Sequence, residues 1–218
     1  MATITQSGVD TIVREINAGT RKLEQNVNNG LGNFASAVHE VWGSGTAEDF
    51  KDDLAEVIEH LETFYDQTIN SYHNALKDNV DNHNSNWQGK KHKGNPVSLG
   101  AFNKVSLNPK SKLAAITAKN AQGSTGIIEG KSVKPLYAKL ATPFNDAIAT
   151  LSKVPSKIET AKGFGKSESA ACSKKMNEII TEFKKGYKKM CESAQKYLGT
   201  TDANAENLLK TNKSNMGF

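Results

Sequence analysis

Val41-Trp42-Gly43-Ser44-Gly45-Thr46-Ala47-Glu48-Asp49-Phe50 is the stretch whose reading decides the fold. Apolar residues at helical spacing lead into it and out of it. Between them, Gly43 and Gly45 interrupt one helix, and Thr46 is placed to cap the next, with Glu48 and Asp49 favouring the dipole of its first turn. The stretch therefore reads as the elbow of a helical hairpin. Its two aromatics, Trp42 and Phe50, are predicted to pack there and set the angle between the arms.

Upstream, Ile12, Ile16, Leu23, Val27, Phe34, Val38 and Val41 recur at spacings of three, four or seven, one stripe on a helix. Thr20 falls near a gap in the stripe. Asn28, Asn29, Gly30 and Gly32 are weak helix formers, so a bend is expected there unless the glycines serve close approach of another helix. Downstream, Phe50, Leu54, Val57, Ile58, Leu61, Phe64, Tyr65, Ile69, Tyr72, Leu76 and Val80 make a second, longer stripe. Asp52, Asp53, Glu56, Glu59, Glu62 and Asp66 cover the rest of that helix. They read as a solvated face or as a docking face for a basic partner.

The pattern stops between Asn82 and Gly130. Lys90, Lys91 and Lys93 form a basic, turn-rich cluster, and the weak alternation of Val97, Leu99, Val105 and Leu107 leaves two readings open, an irregular segment or a short β-hairpin. A short helix is expected over Lys110 to Ala121. Helical spacing returns with Val133, Tyr137, Leu140, Phe144, Ile148, Leu151 and Ile158, and Pro143 and Pro155 are expected to kink or divide that helix. Gly163-Phe164-Gly165 ends it, and Ser167 or Ser169 can cap the next. The last stripe is Cys172, Met176, Ile179, Ile180, Phe183, Tyr187, Cys191, Ala194 and Leu198, with Lys184 and Lys188 among the lysines on its outer side. A polar tail follows from Gly199, with Leu208 and Leu209 as an expected last anchor.

Charge divides the chain more sharply than its overall net of +5 suggests. Residues 1–86 hold 5 Lys+Arg against 14 Asp+Glu, residues 87–130 hold 7 against 1, and residues 131–218 hold 16 against 8. Opposite signs at the two ends should draw the parts of the chain, or neighbouring copies, together. No apolar run is long enough to cross a membrane, and Met1 to Asp10 lack the basic and apolar stretches of a secretory signal. Cys172 and Cys191 lie 19 residues apart in one predicted helix, point in different directions, and read as small core residues.

Shifting the second helix by 122 residues lays it on the last one without a gap. Trp42 falls on Phe164, Gly43 on Gly165, Phe50 on Cys172, Leu61 on Phe183 and Tyr65 on Tyr187. The fold class expected is mainly α: two tandem helical hairpins forming an elongated four-helix bundle, with an irregular segment between them that could contain a β-hairpin. The expected division is an acidic hairpin over 1–86, a basic connector over 87–130 and a basic hairpin with polar tail over 131–218. Trp42, Gly43, Gly45, Phe50, Phe164, Gly165 and Cys172 are the expected elbow and packing positions.

With Trp42, a glycine cluster and an aromatic eight residues after the Trp, the first hairpin resembles the WXG family associated with type VII secretion. The resemblance implies helical hairpins that pair antiparallel, here fused end to end. Ser44 stands where the family's second motif letter is glycine, and Phe164 replaces the Trp in the second copy. The family's export signal, a Tyr followed four residues later by an acid, is absent: Leu76 follows Tyr72, Thr201 follows Tyr197, and Asp202 is one place too far.

The chemistry-bearing motifs of enzymes are missing. There is no P-loop, no GxGxxG after a strand, no HExxH and no paired-cysteine metal spacing. No catalytic residue, cofactor or metal is expected. His73 and His83 read as solvated helix residues. The expected function is a structural or interaction protein, as a homo-oligomer or within a larger protein assembly, with Asp52, Glu56, Glu59, Lys90, Lys91, Lys93, Lys184 and Lys188 as partner-binding candidates. A virion or tail component and a type VII substrate or targeting partner are the settings that fit. Nucleic-acid binding through the middle lysines ranks below them, because no aromatic side chain interleaves with those lysines to stack bases.

Overall fold

The computed structural model describes residues 4–88, 95–118 and 132–215 of the 218. It is a mainly-α helical bundle. Its elements are α1 (Gln6–Val41), α2 (Gly45–Gln88), the single turn α3 (Pro109–Lys112), α4 (Leu136–Leu151), α5 (Val154–Glu159) and α6 (Lys166–Asn215). No strand occurs among the described residues. Contacts group the chain into two compact units, each taking segments from both hairpins. The first holds Met1–Gln25, Glu62–Ser106 and Ala147–Lys184; the second holds Asn26–Leu61, Leu107–Asp146 and Lys185–Phe218.

In the first unit the stripes bury as their spacing requires. Ile12, Ile16, Tyr65, Ile69, Tyr72, Leu76, Met176, Ile179 and Phe183 are core residues. Thr20 fills the gap in the first stripe. It is buried, and its hydroxyl shares a 2.9 Å hydrogen bond with the Tyr65 hydroxyl, so neither polar group is left without a partner. Burial pushes the Tyr65 phenol well above its ordinary value. Tyr72 lies over Phe102 on one side, with Cys172 beside its hydroxyl, and burial raises the pKa of both the phenol and the thiol.

In the second unit Val27, Leu31, Phe34, Val38, Leu54, Ile58, Leu140, Phe144, Tyr187 and Leu198 are buried. α1 is helical without interruption through Gly30 and Gly32. A Cβ on Gly30 would overlap the Pro143 ring, so the two helices meet there at glycine distance. Pro143 does not divide α4, which runs through it. The break falls at Ser152-Lys153, where Pro155 sits at the start of α5, a position that needs no backbone N–H.

Several expectations are corrected. Val57 and Phe64 do not join the buried stripe: they are 41% and 38% exposed. Leu54, Ile58, Leu61 and Tyr65 define the inner face of α2, and positions 57 and 64, seven residues apart, lie to one side of it. Thr46 is not the cap of α2. The helix begins at Gly45, and Ser44 holds the position before it. Neither Ser167 nor Ser169 caps α6, since that helix starts at Lys166. The Gly199 tail is helical to Asn215, with the Thr200 and Thr201 hydroxyls returning to carbonyls one turn back. Within the described residues, the helix expected over Lys110 to Ala121 is α3 and a following turn, and residues 119–121 lie outside the described ones.

The β-hairpin is absent because the connector's backbone finds side chains instead of a second strand. In the first unit the Asn84 amide both donates to Val97 O (2.8 Å) and accepts from Val97 N–H (3.0 Å). Gln6 treats Ser98 the same way, and Asn17 accepts from Asn103 N–H while donating to the Ala101 carbonyl. Val105 N–H donates to Asp66 and Ser106 N–H to Glu24. His73 donates to the Gly100 carbonyl, with its ring edge-on to Phe102. In the second unit Lys110 pairs with Glu59 at 3.1 Å, and Ala118 N–H donates to Glu48 at 2.8 Å. Val97, Val105, Leu107, Leu113 and Ile116 bury beneath this strap.

Candidate functional site

The elbow that opens α2 carries an aromatic cluster within the second unit. Trp42 is only 1% exposed, and its indole N–H donates to Ser44 Oγ at 2.9 Å. Ser44 Oγ in turn lies 2.6 Å from Thr46 Oγ1. The Phe50 ring, eight residues on and therefore two turns into α2, has its centroid 5.7 Å from that of Trp42. Phe34 meets Phe50 edge-on at 6.2 Å, the geometry that sets a positive ring edge on a negative face. Tyr197 of α6 completes the cluster, at 6.1 Å from Trp42 and 5.2 Å from Phe50.

Tyr197 is also 37% exposed, so the cluster reaches the surface. A groove of about 310 Å3 runs between α2 and α6, floored by Phe50, Leu54, Met190 and Ala194 and edged by Asp53, Val57, Lys189 and Tyr197. A second, larger groove of about 1090 Å3 adjoins it at Tyr197, lined by Trp42, Thr46, Lys196 and the threonines and asparagines of the last turns of α6. Burial, and then the nearby carboxylates of Asp49 and Asp53, raise the Tyr197 phenol above its ordinary value and keep it protonated. The site thus offers apolar area, one hydroxyl, an acidic rim on α2 and a basic rim on α6. It is suited to binding a surface.

Of the expected elbow positions, Trp42, Gly43 and Phe50 are buried together here, while Gly45 has open space around it. Phe164, Gly165 and Cys172 belong to the first unit: Phe164 and Gly165 are buried at the second elbow, and Cys172 packs toward Tyr72. Asp52, Asp53 and Glu56 are exposed, with Asp52 near Lys51, whereas Glu59 is used by Lys110. Lys184 and Lys188 are exposed. Lys90, Lys91 and Lys93 lie outside the described residues, as do the side chains of Leu208 and Leu209.

Sequence reasoning missed Tyr197, Lys189 and Met190 as site residues. Tyr197 sits one position before Leu198 of the stripe, and nothing local marks it as the partner of an elbow 150 residues away. Asp202 was missed as well: it accepts from Ser132 Oγ and from the backbone N–H of Val133 and Lys134, tying α6 to the approach to α4. Among the described residues no group of His, Cys, Asp and Glu side chains is arranged to hold a metal ion, and no helix is long and apolar enough to cross a membrane. Compared with known proteins, the chain matches no family model, no curated protein and no solved structure.

Proposed function

We propose that this chain is a non-catalytic structural or interaction protein of the WXG-like hairpin type, held to other protein chains through helix faces of opposite charge. The observation that carries this reading is the α2–α6 groove, where exposed Val57 and Tyr197 stand between the Asp53 and Lys189 rims. The elbow supports the family resemblance, since Trp42 and Phe50 pack at the spacing that suggested it. Every resolved pKa shift among the tyrosines and cysteines is upward, away from neutrality, which suits packing better than acid–base chemistry.

Between a secreted substrate and a building block of a larger particle, such as a virion or tail, the second is favoured. The acid nearest the expected export position, Asp202, is engaged by Ser132, Val133 and Lys134. Nucleic-acid binding is disfavoured further, because Lys110 of the connector is paired with Glu59.

The test is the mass of the purified chain and of whatever co-purifies with it, across a salt series. An assembly heavier than the 23.6 kDa chain at low salt, shrinking as salt screens the charged rims, is the expected result. A single-chain mass at low salt, with no protein partner, would sink the reading.

A further inference from the structure

We propose that the α2–α6 groove is a self-docking face, occupied by a second copy of this chain related by a two-fold axis running along the groove. The inference deepens the proposed function by naming the partner. Three observations carry it. Among the described residues the exposed large apolar side chains are Val57, Phe64 and Tyr197, and two of these three stand on opposite edges of this one groove. The α2 edge is acidic through Asp49 and Asp53, and the α6 edge is basic through Lys189 and Lys196. No ion pair among the described residues engages any of these four charges.

The charge layout selects the axis. A two-fold along the groove brings the α2 edge of one copy over the α6 edge of the other, twice, with Asp49 and Asp53 facing Lys189 and Lys196. The same operation sets Tyr197 of each copy against the start of α2 of its mate, because Tyr197 packs level with Phe50. A two-fold across the groove would set acid on acid and base on base, which is repulsive. An interface of this kind is isologous and closes on itself, giving a dimer and not a filament.

Charge exchange tests it. The double variants Lys189→Glu/Lys196→Glu and Asp49→Lys/Asp53→Lys each make both edges alike in sign, and each is expected to weaken self-association about tenfold or more. Mixing the two in equal amounts restores acid over base at both contacts, so the mixture should regain the dimer mass by light scattering. Circular dichroism confirms that each variant is folded, and Val57→Lys, at an exposed position, provides an independent disruption. Restoration by mixing supports the proposal. Variants that dimerise like the wild type, or a mixture that stays monomeric while the wild type dimerises, overturn it. A wild-type chain that is monomeric yet bound to a different protein also overturns it, and leaves the wider interaction reading standing.

Discussion

The two elbows do the same job by different means. At the first, side chains lock the turn: Trp42 is buried, its N–H is held by Ser44, and Phe34, Phe50 and Tyr197 pack around it. At the second, backbone locks the turn. Gly163 adopts a left-handed φ of 78°, and its carbonyl accepts both the Thr5 N–H at 2.8 Å and the Thr5 hydroxyl at 3.0 Å. Gly8 lies so close beneath it that a Cβ there would overlap the Gly163 carbonyl, and Gly8 N–H donates to Thr5 Oγ1 as the N-terminal cap of α1. A large aromatic fills space at one elbow, and the absence of side chains creates contact at the other. The comparison teaches that two elbows flanked by apolar stripes that align in sequence need not be closed by the same device.

Three substitutions can break or sharpen that contrast. Trp42→Ala removes the largest fully buried side chain at the first elbow and is expected to cost about 4 kcal/mol, seen as a lower urea midpoint. An unchanged midpoint would mean that the aromatic cluster does not hold the turn. Next in size, Gly8→Ala forces backbone apart at the second elbow and should cost about 2 kcal/mol, with faster amide exchange at Thr5. If alanine is accepted there without loss, the close backbone contact is not what locks that elbow. Smallest is Ser44→Ala, which leaves the buried indole N–H without its acceptor and should cost about 1 kcal/mol in the same denaturation experiment. A larger cost for Ser44→Ala than for Trp42→Ala would invert the account of the first elbow.

The long-range lesson lies in the connector. Its alternation of Val97, Leu99, Val105 and Leu107 is compatible with an irregular segment or a short hairpin, and the burial of Val97, Val105 and Leu107 follows the apolar positions of that pattern. What was not legible was the partner. Asn84, Gln6, Asn17, Asp66 and Glu24 act singly, each on one or two backbone groups, from the two long helices α1 and α2. A lone amide or carboxylate on a helix looks the same whether it faces water or a strap, so the acidic row on α2 was read as a solvated or docking face. Part of it holds this chain's own connector instead.

By itself, the sequence determined the helices and most of their buried stripes, because a period of 3.6 converts directly into one apolar face. It also determined the elbows, because glycines between two such stripes leave the chain nowhere else to turn. Only the tertiary structure decided which groups far apart in the chain meet. It placed Tyr197 on the Trp42–Phe50 pair, Pro143 on Gly30, Thr5 on Gly163 and Asp202 on the approach to α4. Periodicity fixes which face of a helix is buried, but a contact depends on rotation and register against a second helix, and those are set by packing many residues at once.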